Sequence, residues 1–212
     1  MPVPHDHDHD VFRDDDDRHD PALLTYRALR SLLIEKGKVD PAALRRQVEK
    51  MESAGTQAGA HVVATAWTDD AFRRRLLADA RPAVGSLGYT VAEADLIVLE
   101  NRADLHNLVV CTLCSCYPRS LLGQPPSWYV SRSYRSRAVR EPRAVLSEFG
   151  LILPESTEVR VHDSTADMRY LVLPRRPEGT AGWSAAQLAS LVTRDCLIGV
   201  AVPRAAPPGP AR

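Results

Sequence analysis

The 212-residue sequence predicts an α+β fold, in which a helical N-terminal arm precedes a mixed, layered α/β domain. Apolar residues recur at helical spacing up to about residue 85, and short aliphatic and β-branched runs replace that pattern afterwards. We therefore expect a helical segment over residues 20–85 and an α/β domain over residues 86–204. Residues 205–212 should form a flexible C-terminal tail.

The first nineteen residues are rich in aspartate and histidine. Residues 1–20 contain eight Asp and two Arg, so the rest of this neutral chain is net positive by about six charges. With so little apolar content, residues 1–19 should be disordered. The alternation of His and Asp could bind divalent metal, although a solvated acidic tail is the simpler interpretation.

The same N-terminus lacks the basic start and apolar stretch of a secretory signal. No apolar run approaches the roughly eighteen residues that a membrane-spanning helix needs. These two observations predict a cytoplasmic protein that has no membrane partner.

Helix start and stop signals divide the arm into predicted helices over residues 21–37, 41–55 and about 60–67, with a continuation capped by Asp69. Asp20-Pro21 and Asp40-Pro41 supply the starts of the first two. Such short helices have little core of their own. We expect them to wrap a neighbouring domain or a partner subunit.

Shorter elements follow residue 85. Strands are predicted over residues 96–99, 108–110, 159–161, 170–173 and 197–200, and the third and fourth of these are expected to pair with each other. Helices are predicted after Pro125-Pro126, from Pro142 to Phe149-Gly150, and from the capping box of Ser184 and Gln187 to about Val192.

Three of the four cysteines lie within six residues in the spacing C-x-x-C-x-C, as Cys111, Cys114 and Cys116. Their side chains are too crowded for an ordinary disulfide framework, and thiolates in this arrangement select transition metals. A structural zinc site would need a fourth ligand. Only Cys196 could complete an all-sulfur set, and its place beside an apolar run favours a buried core residue.

The spacing also suggests a planar set of ligands. The backbone nitrogens of Ser115 and Cys116 lie between the sulfurs of Cys114 and Cys116, so two sulfurs and two nitrogens could bind one metal in a plane. Cys111 could cap that plane and leave a sixth position for water or substrate. Deprotonated amides are stabilised best by a highly charged metal, which favours a trivalent ion over zinc.

The segment VCTLCSCYP, residues 110–118, resembles the metal claw of the nitrile hydratase α subunit. The resemblance covers roughly residues 20–203 and continues through GQPPSWY, YRSRAVREPR, EFG, RYLVLPRRPEGTAGWS and TRDCLIGVAVP. It implies a nitrile hydratase α-like fold with a non-corrin Co(III) ion, Fe(III) being the alternative, bound by Cys111, Cys114, Ser115 and Cys116. It also implies that Cys114 is oxidised to a sulfinic acid and Cys116 to a sulfenic acid. We call residues 111–116 the claw.

Thr112 and Tyr117 are the residues that cobalt members of this family typically have at these positions, so the resemblance favours cobalt. Two activities are implied: hydration of an organic nitrile to its amide, or hydrolysis of thiocyanate to carbonyl sulfide and ammonia by a thiocyanate hydrolase γ subunit. Arg119 and Gln124 stand where nitrile hydratases usually have Trp and Leu. These departures, together with the His–Asp tail, are features of the second activity. Three-subunit nitrile hydratases of actinobacterial antibiotic pathways can share them, so hydration of an organic nitrile is the leading expectation and thiocyanate hydrolysis is the alternative.

Three residues of this segment are candidates for roles in catalysis. In family terms the nucleophile is either the sulfenate oxygen of Cys116 or a metal-bound hydroxide, and the sequence does not choose between them. Ser115 is a candidate for orienting the substrate, and Arg119 is a candidate for attracting an anionic one.

The expected partners are a second nitrile hydratase-type subunit (β, or α and β together) that supplies arginines to the oxidised claw, an activator or metallochaperone, and a small nitrile or thiocyanate. The arginine-rich stretch 132–143 superficially suits a nucleic acid, but salt bridges explain it more simply. His106 and His162 lack metal-ligand spacing with the claw. A non-enzymatic metal-delivery protein is the remaining alternative.

Overall fold

The computed structural model describes residues 21–43, 55–91 and 95–205. The predictions for the N-terminal tail, for most of the second helix and for residues 206–212 lie outside these ranges. Residues 41–43 are helical, where the second helix was predicted to begin.

Groups of helices alternate with pairs of short strands along the chain, which confirms the predicted α+β class. The first part contains α1 (Pro21–Glu35), α2 (Gln57–Thr68), α3 (Asp70–Ala78), α4 (Ala80–Gly85), β1 (Asp95–Glu100) and β2 (Leu105–Val110). The second part contains α5 (Arg119–Leu122), α6 (Ser127–Val130), α7 (Arg132–Arg140), α8 (Pro142–Glu148), β3 (Glu158–Asp163), β4 (Met168–Leu173), α9 (Ala185–Ala189) and α10 (Arg194–Ile198).

Side-chain caps explain where several of these helices begin. Asp69 accepts a hydrogen bond from the backbone N–H of Phe72 at 2.9 Å, which starts α3 as predicted. At the start of α9, Ser184 and Gln187 form the predicted capping box, which satisfies two otherwise unpaired N–H groups.

The four strands form two parallel pairs. β1 pairs with β4, and β2 pairs with β3. The predicted pairing of residues 159–161 with 170–173 is therefore wrong: the turn between them carries the chain from one pair to the other. In that turn Ser164 N–H donates to Val110 O at 2.7 Å, and Asp95 N–H donates to Asp167 O at 2.9 Å. Short sequence separation favoured a hairpin, but these cross-contacts direct each strand to a different partner.

The strand predicted over residues 197–200 is also wrong, because Leu197 and Ile198 form the end of α10. The side chain of Thr193 accepts from Cys196 N–H and caps this helix, and Gly199 ends it in a left-handed conformation with φ 90°. A short buried apolar run has the same composition in a strand and in a buried helix. A Cβ on Gly199 would lie 2.0 Å from the carbonyl oxygen of Asn107, so only glycine lets α10 approach β2 this closely.

One hydrophobic core joins the helical and α/β parts. Val62 of α2 together with Phe72 and Leu76 of α3 lies in the same core as Cys111 and Cys116. In contrast, α1 leaves its apolar side chains exposed, namely Leu24, Tyr26, Leu29 and Leu32. The partner-wrapping role thus stays a prediction that α1 suits best. Among the described residues, no helix combines the length and apolar character needed to cross a membrane.

Candidate metal centre

The claw begins where β2 ends. All six residues of β2 are buried, and the chain leaves Val110 to enter Cys111, which is also buried. Cys116 is buried at the other end of the claw, whereas Cys114 between them is exposed. The strand therefore anchors one end of the claw in the core and leaves its middle accessible from solvent.

The three cysteine sulfurs converge on one point. Cys111 Sγ lies 3.6 Å from Cys114 Sγ, and Cys114 Sγ lies 3.2 Å from Cys116 Sγ. All three sulfurs lie within 4.8 Å of one another. Soft donors at this spacing fit a single transition-metal ion.

Burial and mutual hydrogen bonds shift the pKa values of Cys114 and Cys116 in opposite directions. Hydrogen bonds from Cys116 and then from Cys111 lower the pKa of Cys114. Burial raises the pKa of Cys116 to about 12. Thiolates are the form that binds metal, and the lowered pKa of Cys114 favours that form of its sulfur.

The backbone nitrogens also face this point. Besides the sulfur contacts, the N–H groups of Ser115 and Cys116 donate to the Cys114 sulfur and lower the pKa of its thiol. Cys114 N–H donates to Cys111 Sγ at 3.3 Å. The arrangement is compatible with the predicted set of two sulfurs, two amide nitrogens and a capping sulfur, and the side chain of Ser115 is half-buried beside it.

Two buried tyrosines hydrogen-bond to backbone carbonyls at the end of β2 and at the end of the claw. Tyr134 Oη donates to Val109 O at 2.7 Å, and Tyr129 Oη donates to Cys116 O at 2.9 Å. Tyr129 lies in a cluster of aromatic rings, with its ring centroid 5.1 Å from that of Tyr117 and 5.9 Å from that of Trp128. Sequence reasoning missed these contacts.

Thr112 is held from two sides. Its N–H and Oγ1 donate to the two carboxylate oxygens of Asp163 at 2.9 and 2.6 Å. Its carbonyl oxygen accepts from Arg135 Nη1 at 3.4 Å. Sequence analysis did not select Asp163, since only the parallel register of β2 and β3, which aligns Val110 with Asp163, brings it to the claw.

The remaining predicted residues occupy different places. Arg119 is exposed at the first position of α5, where its N–H donates to Tyr117 O at 2.8 Å. Cys196 is a core residue whose sulfur lies 3.2 Å from Thr193 Oγ1. Among the described residues, the cluster of metal-binding groups contains the other three cysteines and not Cys196. The predicted core position of Cys196 is confirmed.

His106 and His162 each hydrogen-bond to another residue of the chain. His106 Nε2 lies 2.6 Å from Gly199 O, and His162 Nε2 lies 2.9 Å from Asn107 Oδ1. Burial lowers the pKa of each ring. Both residues therefore have structural partners.

Intrachain contacts account for much of the arginine-rich stretch. Arg137 pairs with Glu141 and Glu148, and Arg143 donates to backbone carbonyls that include Thr157 O. The ion pairs of Arg137 are of the kind that the sequence predicted for this stretch.

Comparison with known proteins identifies relatives over nearly the whole chain. The family described as "Nitrile hydratase, alpha chain" matches residues 21–201. A nitrile hydratase α subunit from a Rhodococcus species is 55% identical over 82% of this chain and 89% of its own length. The cobalt-containing nitrile hydratase α subunit of Pseudonocardia thermophila is 49% identical over 82% and 87%, and the thiocyanate hydrolase γ subunit of Thiobacillus thioparus is 47% identical over 84% and 78%.

Solved structures agree with these relatives. A double-histidine variant of the Fe-type nitrile hydratase from Comamonas testosteroni Ni1 superposes with a TM-score of 0.81 at 45% identity, over 91% of this chain and 98% of that one. A recombinant thiocyanate hydrolase with partially modified cobalt centres superposes with a TM-score of 0.75 at 40% identity, over 91% and 97%. Sequence, fold and the convergent cysteines lead to one conclusion: the chain belongs to the nitrile hydratase alpha chain family.

Proposed function

We propose that the chain is the metal-carrying catalytic subunit of a cobalt nitrile hydratase, which hydrates an organic nitrile to the amide. The convergence of three sulfurs and two backbone N–H groups within the claw carries this proposal. A trivalent ion bound there supplies Lewis acidity to a substrate or water. Cys111, Cys114, Ser115 and Cys116 are the residues that would hold it.

Cobalt is the metal that the sequence of the claw favours. Thr112 and Tyr117 match the cobalt members of the family, and relatives from Pseudonocardia and Rhodococcus are cobalt-containing. Because the family also includes the Fe-type enzyme of Comamonas, metal analysis of the purified protein is the direct test.

The claw residues differ in burial, and this difference suggests different roles for them. Cys111 and Cys116 lie in the core and fix the position of the site, whereas exposed Cys114 and half-buried Ser115 face the side from which a substrate can enter. We propose that oxidation by dioxygen makes Cys114 a sulfinate and Cys116 a sulfenate, whose oxygens need cationic donors. The sulfenate oxygen of Cys116, or a water molecule, would form a bond to the nitrile carbon as a carbon–nitrogen π bond opens. In the amide product, the nitrogen carries both protons of the added water.

A second subunit would complete this site. Leu113 and Cys114 of the claw are exposed, and so are the apolar residues of α1, which suits burial against a partner. We propose that this partner is a nitrile hydratase-type subunit, either β alone or α and β together, and that its arginines neutralise the oxidised sulfurs. An activator or metallochaperone for cobalt loading belongs to the same proposal.

Thiocyanate hydrolysis is the second candidate function, and Arg119 is the observation that favours it. Three residues after Cys116, this arginine presents an exposed guanidinium that makes no ion pair with the described acidic residues. A cation beside the claw suits an anionic substrate better than an apolar nitrile.

The test is the activity of the purified, partner-bound complex on acrylonitrile, a bulky nitrile and thiocyanate, measured side by side. Nitrile turnover supports the proposal, and thiocyanate turnover alone supports the second candidate. Intact mass spectrometry adds an independent readout, because the enzyme should carry an inert trivalent ion and three added oxygens. Exchangeable divalent metal on unmodified cysteines, without turnover, would instead indicate a metal-delivery protein.

A further inference from the structure

The carboxylate of Asp163 is bonded to the claw through both of its oxygens. Oδ1 accepts from Thr112 N–H at 2.9 Å, and Oδ2 accepts from Thr112 Oγ1 at 2.6 Å. Asp163 is the last residue of β3, aligned in parallel register with Val110, the last residue of β2. The paired strands therefore present this carboxylate to the second residue of the claw.

The backbone around Thr112 is held from other directions as well. Arg135 Nη1 donates to Thr112 O at 3.4 Å, and Ser164 N–H donates to Val110 O at 2.7 Å. The next residue, Leu113, is 83% exposed. The claw is thus fixed at Thr112, and the direction of the exposed residues that follow depends on how Thr112 is held.

The backbone direction at Thr112 determines where the sulfur of Cys111 points. Thr112 lies between Cys111 and Cys114, and the turn through it brings Cys114 N–H to 3.3 Å from Cys111 Sγ. A peptide fixed at Thr112 keeps Cys111 Sγ and Cys114 Sγ 3.6 Å apart. Donors that are already arranged bind a metal without the cost of ordering the loop.

We propose that Asp163 is a positioning residue, which holds the claw in its metal-binding shape through Thr112. This inference rests on the proposed metal site. Asp163 is not itself a ligand in this proposal, since both oxygens bond to Thr112 and the described cluster of metal-binding groups contains the three cysteines alone. Residues that orient metal ligands in this way typically change metal affinity by about ten- to a hundredfold when replaced.

The test uses the full chain with its partner subunit, produced in medium with limiting cobalt chloride. The variants are Asp163→Asn, Thr112→Val and both together, with Thr112→Ser as the conservative change. Glu158→Gln is the matched control, because Glu158 lies on the same strand and pairs with Arg160 instead of the claw. Cobalt per chain, resistance to a chelator, the sulfur-to-cobalt absorption band and the thermal midpoint of the metal-free form are measured for each.

We expect Asp163→Asn to lower cobalt retention about tenfold or more and to shift the absorption band, with the midpoint of the metal-free form nearly unchanged. Thr112→Val should act in the same direction, because it removes the hydroxyl half of the contact. The double variant should be no worse than Asp163→Asn alone, since the two residues act through one contact. Thr112→Ser and Glu158→Gln should match the wild type.

Two results would overturn the inference alone: a cobalt-loaded wild type whose Asp163→Asn variant retains cobalt equally well with the same band, or a loss of cobalt fully accounted for by a lower midpoint of the metal-free form. A wild-type complex that binds no trivalent metal would overturn the proposed function, and this inference with it.

Discussion

The Tyr129 hydroxyl donates a hydrogen bond to the carbonyl oxygen of Cys116 at 2.9 Å and thereby ties the last claw cysteine to the aromatic core. Both residues are buried, and burial raises the pKa of Tyr129 well above its usual range, so the phenol stays protonated and remains a donor. The bond spans thirteen residues and fixes the end of the claw opposite to the one that Thr112 occupies.

Replacing Tyr129 with Phe should destabilise the fold, because the Cys116 carbonyl would lose its donor in a place that water does not reach. A buried acceptor without a partner costs about 1–3 kcal/mol. Chemical denaturation of the purified complex would measure the change in unfolding free energy. Tyr89→Phe is the matched control, since the Tyr89 hydroxyl makes an exposed bond to His61, and equal stability of the two variants would contradict the prediction.

Cys114→Ala and Cys116→Ala should each abolish cobalt retention and turnover, because each removes a sulfur from the cluster and disturbs an adjacent amide donor. Cys196→Ala should do neither, since its sulfur lies against Thr193 in the core. Metal analysis and turnover of the three purified variants check this. Loss of cobalt from a folded Cys196→Ala variant would return a four-cysteine site to consideration.

Arg119→Trp tests which substrate the chain uses. If thiocyanate is the substrate, removing the guanidinium should weaken its use by about ten- to a hundredfold, mainly through KM, while cobalt content stays unchanged. If a nitrile is the substrate, the wild type should turn over little thiocyanate, and the change should mainly alter nitrile preference.

The measurement is kcat/KM for thiocyanate and acrylonitrile in both proteins. Arg102→Trp serves as the control, because Arg102 precedes β2, at the end of that strand away from the claw. An unchanged ratio of the two substrates would remove Arg119 from the substrate site.

The stability of the fold should fall on mild acidification because of His106. His106 Nε2 faces Gly199 O at 2.6 Å and donates to it, so Nδ1 must accept from the Asn101 amide at 3.2 Å. Burial lowers the pKa of this ring in the folded state. The unfolded chain, with a histidine pKa of about 6.5, therefore binds the proton more readily.

The contribution of neutral His106 should accordingly be complete above about pH 6.5 and be lost as the pH falls from there towards the folded-state pKa. Urea unfolding of the metal-free complex at several pH values would show this slope. His106→Gln should reduce this slope without abolishing it, because burial also lowers the pKa of His162. His61→Gln, at an exposed histidine, should leave the slope in place. A slope unchanged by His106→Gln would contradict the assignment.

Features that depend on a few neighbouring residues could be predicted from the sequence. The C-x-x-C-x-C spacing alone indicated that Cys111, Cys114 and Cys116 share one site, since a segment of six residues cannot hold their sulfurs far apart. The capping box of Ser184 and Gln187 was equally readable, because its hydrogen bonds span only three residues. Resemblance to the nitrile hydratase family extended this local information to the whole chain.

Contacts between distant residues were decided by the tertiary structure. Asp163 reaches Thr112 across 51 residues only because β3 pairs with β2 in one particular parallel register, and residue composition does not specify that register. The apolar composition of residues 197–200 suits a strand and a buried helix equally, and the close contact of Gly199 with Asn107 O belongs to the helical arrangement. The sequence therefore determined the donors of the metal site, whereas long-range packing determined what holds them in place, because such packing depends on the whole fold at once.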